Sequence, residues 1–375
     1  MKHIWCCLLF ILLTISCQTS TNKNTIEDYI FNQADYVLTI NNLENFKSNI
    51  TNNHFIDQLS NTTSYKNVSK KLELLEHIKS KQRVYINLSK DNNDSIQYSF
   101  VTKLNDSVFN LDSLKIKREP LKLKGVTAEK ISNKNQTVYV SKIGDILIGA
   151  NNVNHLQHLI NSNPDKNSIK KTIATQDQEA SFSVFINKDN GLNTVFKNNN
   201  LSFKNFTDYL TFGTEVSQNQ LTLNGITKAK DTSNKLINVF KHTLPQDNQL
   251  AQISPSNSDG FLSITFNEYK KFRSNLNHYN NIDTLAIKTA LFDNIIEFGE
   301  IYSDTTSAVV LNSIDIISTQ EALLSEKEKV EDFRGISIYN FSNPSLFNSH
   351  LKPFITLNTA SKYCIINQFL VFASN

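Results

Sequence analysis

From Tyr36 onward the chain switches between two hydrophobic periods. Tyr36, Leu38 and Ile40 recur at every second residue, the spacing of a strand, and Leu43, Phe46 and Ile50 then fall at i, i+3 and i+7, the spacing of one helix face. A shift of 226 residues brings Leu262, Ile264 and Phe266 onto the strand positions and Tyr269, Phe272 and Leu276 onto the helix positions, without a gap. A fainter third copy has Phe182, Val184 and Ile186 on the strand and Leu192 and Phe196 on the helix. Helical stripes are also predicted over residues 64–79, through Val68, Leu72, Leu75 and Ile78, and over residues 283–298.

A second repeated element is a hairpin. Residues 140–143, the turn Gly144-Asp145 and the run from Ile146 are echoed by residues 363–366, the turn Asn367-Gln368 and the run from Phe369. Gly and Asn at the first turn position tolerate positive φ, as tight hairpin turns require. The first hairpin runs into a predicted helix over residues 153–160, with Val153, Leu156 and Ile160 on one face. After the second, the sequence stops at Asn375 where the matching helix is expected, so a continuation of the chain is expected there. Leu121 to Thr127 and Leu221 to Thr227 also resemble each other, each reading as a strand whose glycine, Gly125 or Gly225, marks a bulge or a close backbone approach.

The expected fold is therefore α+β, with repeated antiparallel sheet or hairpin lobes and amphipathic helices packed on one face. Polar breaks at residues 163–167 and 254–257, each holding a proline, divide it into a first lobe over residues 25–163, a middle segment over 175–253 and a second lobe over 258–375, incomplete at its end.

The first residues change the picture from fold to address. Lys2 and His3 precede an apolar run over residues 4–15, then come Ser16-Cys17 and a polar stretch. The run is too short to span a bilayer and has the layout of a secretory leader over residues 1–16. Cys17 after Ser16 resembles the lipobox of bacterial lipoproteins, with Thr14 where the strict pattern has Leu, as in looser Bacteroidota-type boxes. The resemblance implies lipidation of Cys17, a tether over residues 17–24 and a membrane-anchored protein, placed on the periplasmic side of the outer membrane. The net charge of +3 falls to +2 once Lys2 leaves with the leader, too little for a nucleic-acid partner. Of the cysteines, Cys6 and Cys7 leave with the leader and Cys17 is the acylated residue, so Cys364 is the remaining thiol and no intrachain disulfide is expected.

Candidate chemistry is sparse, and no metal or cofactor is expected. His155 and His158 stand one helical turn apart without a third ligand and read as two exposed histidines. Residues 90–95 carry oxygen ligands, but Ile96 replaces the glycine an EF-hand loop needs, and a hairpin turn is the better reading. Ser168 and Lys171 have Ser-x-x-Lys spacing in what reads as a polar linker. Cys364 reads as a packed thiol in mid-strand. Lys115, Lys117, Lys122 and Lys124, with Arg118, are interleaved with Leu114, Ile116, Leu121 and Leu123, which suggests a strand with one cationic face for an anionic lipid or glycan, or an edge strand guarded by lysines.

The lipobox, the strand beginning at Ala34, the segment from Leu221 to Gly225 leading to Leu244-Pro245-Gln246, and Ile253-Ser254-Pro255 ahead of the second strand-helix unit together resemble the envelope family catalogued as domain of unknown function 3352. That resemblance implies no activity and transfers no functional residue. The expected function is a non-catalytic, lipid-anchored envelope protein that binds or scaffolds an envelope protein or glycan. The alternatives are an exported enzyme whose catalytic part lies past residue 375, and a polysaccharide-binding lipoprotein, which would need exposed aromatic platforms.

Overall fold

The computed structural model describes residues 25–374 apart from 92–94, 105–115, 124, 134–135, 163–167, 178, 188–202, 283–289 and 305. Cys17, Lys115, Lys124, the breaking proline Pro164 and the helix of the fainter third copy lie outside the described residues. The fold is α+β, with two antiparallel sheets and short helices. Residues 25–185 and 211–225 cluster into one compact unit and residues 186–210 and 226–374 into a second.

The first sheet contains β1 (Tyr36–Ile40), β2 (Val84–Lys90), β3 (Ile96–Lys103), β4 (Lys117–Leu123), β5 (Val126–Ser132), β6 (Thr137–Ile143), β7 (Ile146–Ala150), β8 (Phe182–Asn187), β9 (Tyr209–Ser217) and β10 (Gln220–Lys228), in the spatial order β10-β9-β8-β1-β2-β3-β7-β6-β5-β4. The segment over residues 175–253 thus contributes β8–β10 to this sheet. The second sheet contains β11 (Gly260–Thr265), β12 (Ile295–Ser303), β13 (Thr306–Ser313), β14 (Lys329–Phe333), β15 (Ile336–Asn340), β16 (Lys362–Ile366) and β17 (Phe369–Ala373), ordered β11-β12-β13-β17-β16-β15-β14. Counted from β1 and from β11, seven strands of each sheet follow one another in the same spatial order.

The main helices are α1 (Leu43–Thr51), α2 (His54–Ser60), α3 (Thr63–Leu72), α4 (Val153–Ile160), α5 (Ser168–Ile173), α6 (Tyr269–Tyr279), α7 (Ile316–Glu321) and α8 (Leu346–Leu351). Asn42 opens α1 by accepting from the N–H groups of Glu44 and Asn45, and Asn152 opens α4 by accepting from those of Asn154 and His155. Both hairpin turns form, β6–β7 with Gly144 and β16–β17 with Asn367 at positive φ.

One face of each sheet, here called the front, carries a hydrophobic core. On the first sheet Tyr98, Phe100, Val138, Val140 and Leu147 pack with Leu43 and Leu75. On the second, Phe298, Val309, Leu311, Leu370 and Phe372 pack with Phe272 and Leu276 of α6 and with Phe347 and Leu351 of α8. Phe266 stacks on Phe272 with ring centroids 4.7 Å apart, and Tyr269 on Phe292 at 4.8 Å.

Several expectations are corrected. Of the predicted helix over residues 283–298, residues 283–289 lie outside the described residues, and the rest is a 3-10 turn at Ala290–Phe292 followed by β12, where Ile295 and Phe298 belong to a strand. The helix over residues 64–79 stops at Leu72 and tightens into 3-10 geometry over Glu73–His77. Gly125 is in the β4–β5 turn at positive φ and not inside a strand, whereas Gly225 lies within β10 and marks a close backbone approach as expected, since an added Cβ would come 2.1 Å from the Thr211 carbonyl oxygen. Ser168 and Lys171 are in α5, whose Ile169 and Ile173 are buried, and so do not lie in a linker.

Candidate functional site

The cross-strand pairs of the second sheet sort its residues by face. Ile301 pairs with Ala308, Ala308 with Ala373 and Val310 with Val371, so these side chains share the back of the sheet, opposite the aromatic core. Leu250, Ile301, Val310 and Phe369 form a small cluster there, with Ile253 and Val371 packed against it. Beyond this cluster the small side chains of Ala308 and Ala373 leave an apolar groove of about 320 Å³, walled by Ile253, Pro255 and Val371 and edged by the hydroxyls of Thr306 and Ser374. The residues lining it are all uncharged.

The wall is held in place by a buried carboxylate. Glu297, only 1% exposed, accepts from the backbone N–H groups of Gln249 and Leu250 at 3.1 Å, from Ser263 Oγ at 2.6 Å and from Asn312 Nδ2 at 2.9 Å. These bonds satisfy a buried carboxyl group whose polar atoms burial would otherwise leave unpartnered, and they clamp the 3-10 turn Leu250–Gln252 onto the sheet. Gly299 completes the seat, because a Cβ there would lie 2.4 Å from Leu250 Cδ1 and 2.1 Å from the Leu262 carbonyl oxygen. Cys364 is the cross-strand partner of Val371 on the same face, and burial raises its thiol pKa, in keeping with a packed thiol.

A larger hollow of about 760 Å³ lies between the 3-10 turn Leu236–Phe240 and α6. It is polar, but its lysines are engaged: Lys235 pairs with Asp208 at 3.7 Å and Lys241 with Asp231 at 3.1 Å. A buried titratable cluster of the second unit joins Tyr269 to His350, hydrogen bonded at 3.1 Å, with the half-buried Arg273, whose guanidinium donates to the His350 carbonyl. His350 stacks on Phe292 at 5.0 Å, and burial, aided by the Arg273 charge, lowers its pKa to about 4. This trio lines neither hollow and reads as core chemistry.

The residues singled out in the sequence are dispersed. Lys117 and Lys122 are both on β4, five residues apart, so strand alternation puts them on opposite faces. Acidic side chains interrupt the cationic stripe: Lys117 pairs with Glu119 at 2.7 Å and Arg118 with Glu129 at 3.6 Å. β4 is an outer strand of its sheet, which agrees with the guarded-edge reading. His158 is exposed, but His155 is buried, contrary to the expectation of two exposed histidines. It packs at 4.5 Å on the Phe31 ring and its Nδ1 lies 3.3 Å from Gln97 Oε1. Burial, with the nearby His158, lowers its pKa to about 4. Residues 90 and 96 bound the β2–β3 hairpin, as expected. The groove itself was missed. The alternation of Val371 and Ala373 in β17 was legible, but Glu297 and Gly299 carry no local signal of a clamp.

No family model and no curated protein matches the chain. Among solved structures, crystal form III of TP0453 is similar at a TM-score of 0.32 and 12% identity, covering 61% of this chain and 91% of that one. Crystal form IV of TP0453 gives 0.31 and 13%, covering 54% and 79%.

Proposed function

We propose that this chain is a non-catalytic binding or scaffolding protein of the bacterial cell envelope, anchored through a lipidated Cys17 on the periplasmic side of the outer membrane. The basic start, the short apolar run and the Ser16-Cys17 step support the anchor. Three acyl chains suffice for stable anchoring, since each buried methylene contributes about 0.8 kcal/mol.

The observation that carries the binding role is the apolar groove behind β13 and β17, an uncharged hollow walled by a clamped turn. The same reading treats the molecule as two copies of one lobe. In support, seven strands of each sheet share a spatial order, β1 leads into α1 as β11 leads into α6, and a 3-10 turn precedes each lead strand, at Ile26–Tyr29 and at Leu250–Gln252. Helices over one face of each lobe are part of this proposal.

The anchor is tested by replacing Cys17→Ser and following the protein through membrane fractionation and intact mass. The native chain is expected in the membrane fraction with a lipid mass increment, and the variant without it. A native protein that carries no lipid and stays in the aqueous fraction would end the anchored reading. The binding role is tested separately by a photo-reactive residue at position 373 in intact cells, where an adduct with an envelope macromolecule is expected and its absence counts against binding through this face.

A further inference from the structure

The back of the first sheet contains pairs that correspond in register to those of the groove. Val101 lies opposite Ile148 and Ser99 opposite Ala150, as Val310 lies opposite Val371 and Ala308 opposite Ala373. On the first sheet this face is covered. His155 of α4 reaches Gln97, two residues before Ser99 on the same side of β3, and α4 contacts β6 and β7 while burying Leu156 and Leu159. On the second sheet the corresponding face holds only the clamped turn and the groove among the described residues.

We infer that the groove is the docking site for an amphipathic helix of a partner protein, one presenting two leucine-sized side chains at i and i+3 on an uncharged face. This rests on the binding role proposed above and names the partner's class. Two observations, together with the self-sufficiency of a helix backbone, select a helix. β13 is hydrogen bonded to both β12 and β17, and β17 to both β13 and β16, so an extended peptide has no free backbone edge to join at the groove floor. A helix satisfies its own backbone and needs only an apolar face to offer. The groove lining is uncharged, and α4, which solves the same problem on the first sheet, has no charged residue in Val153–Ile160. A second copy of this chain does not supply the helix through α4, because Leu156 and Leu159 are already buried.

The probe is a fluorescent peptide of residues 150–162, stapled between positions 154 and 158, both exposed on α4, so that a short segment holds helical form. It is titrated against the whole protein in detergent, with anisotropy and the alkylation rate of Cys364 as readouts. Saturable binding is expected, together with slower alkylation of Cys364. Val371→Asp and Ala308→Trp should each weaken binding at least tenfold while leaving the circular dichroism spectrum unchanged, and a peptide with Leu156 and Leu159 both changed to Asp should not bind. Binding that ignores Val371→Asp, no saturable binding, a dimer that Val371→Asp dissolves, or a groove already filled by a helix of the chain's own continuation past residue 375 would each overturn the inference. If the position-373 cross-linker captures an envelope macromolecule while the peptide fails, the helix is wrong and the binding role stands. If both fail, both are wrong.

Discussion

Behind the first sheet, Ile148 is fully buried, and the face around it is covered by α4 and by the turn Ile26–Tyr29, which Tyr85 tethers by donating to Glu27 at 3.0 Å. Behind the second sheet, Val371 has the same cross-strand setting but only partial cover, and the turn Leu250–Gln252 is tethered by a buried carboxylate instead. Similar strand pairing thus supports a closed face in one place and an open one in another. The difference lies in what the chain places over each sheet, and it separates residues that hold the fold from residues available for contact.

The sharpest test of that separation compares the two matched positions. Ile148→Ala deletes side-chain volume from a closed face and should cost about 2–4 kcal/mol, whereas Val371→Ala at the groove should cost under about 1 kcal/mol, both read from urea unfolding midpoints at constant slope. Equal costs would mean that the groove is as closed as its counterpart. Leu156→Ala on α4 belongs with the first class and should cost about 2–4 kcal/mol.

Next in size is the clamp. Glu297→Ala leaves two backbone N–H groups without their acceptor and the Asn312 amide with only its longer 3.4 Å bond to Gln249 Oε1, which should cost about 2–3 kcal/mol and release the groove wall. Hydrogen exchange at Gln249 and Leu250 reports that release directly. If exchange there is unchanged, the turn is held by Leu250 packing against Gly299 and not by the carboxylate.

How much of this was readable in advance follows from where each signal resides. Hairpins announce themselves locally, since Gly144 and Asn367 tolerate the positive φ their turns adopt, and both were found. Phe272 and Leu276 were legible because helix α6 buries one stripe against an aromatic core. β12 was misread as a helix because both its faces are covered, the aromatic core in front and the clamped turn behind, which erases the strand period. Glu297 reads in sequence as a surface carboxylate, and only pairing with residues 15 to 48 positions away makes it a buried anchor. His155 reads as exposed because its burial depends on Phe31, far away in the chain.

Acid provides a smaller, graded comparison of the two units. His155 in the first and His350 in the second each have a folded pKa of about 4, below the ordinary value of 6.5, because burial disfavours the imidazolium. A depressed histidine pKa means that the unfolded chain binds the proton more readily. The stability tied to the neutral ring is therefore complete above about pH 6.5 and is lost as pH falls from there towards 4. Each ring can contribute at most about 3 kcal/mol to that loss, less whatever local opening lets water reach it. His155→Leu should flatten the acid loss by one proton's worth for the first unit, and His350→Phe should do the same for the second. Unfolding followed at pH 7 and pH 4.5 for each variant separates the two, and an acid slope unchanged by both would place the titrating groups elsewhere.

The smallest effect is expected at the outer strand of the first sheet. Lys117 and Lys122 are on opposite faces of β4, and Lys117 already has Glu119 as its partner, so neither an ordered core nor a single-sign surface depends on them. Changing both to Ser should leave the unfolding midpoint and peptide binding at the groove where they were. What the change removes is the charge that guards an exposed strand edge, so the double variant should self-associate more readily than the native chain at raised concentration, as light scattering would read. If instead the variant stays monodisperse but loses retention on anionic vesicles or glycans, β4 is a contact surface in its own right, and the open face behind β17 is not the molecule's one place of recognition.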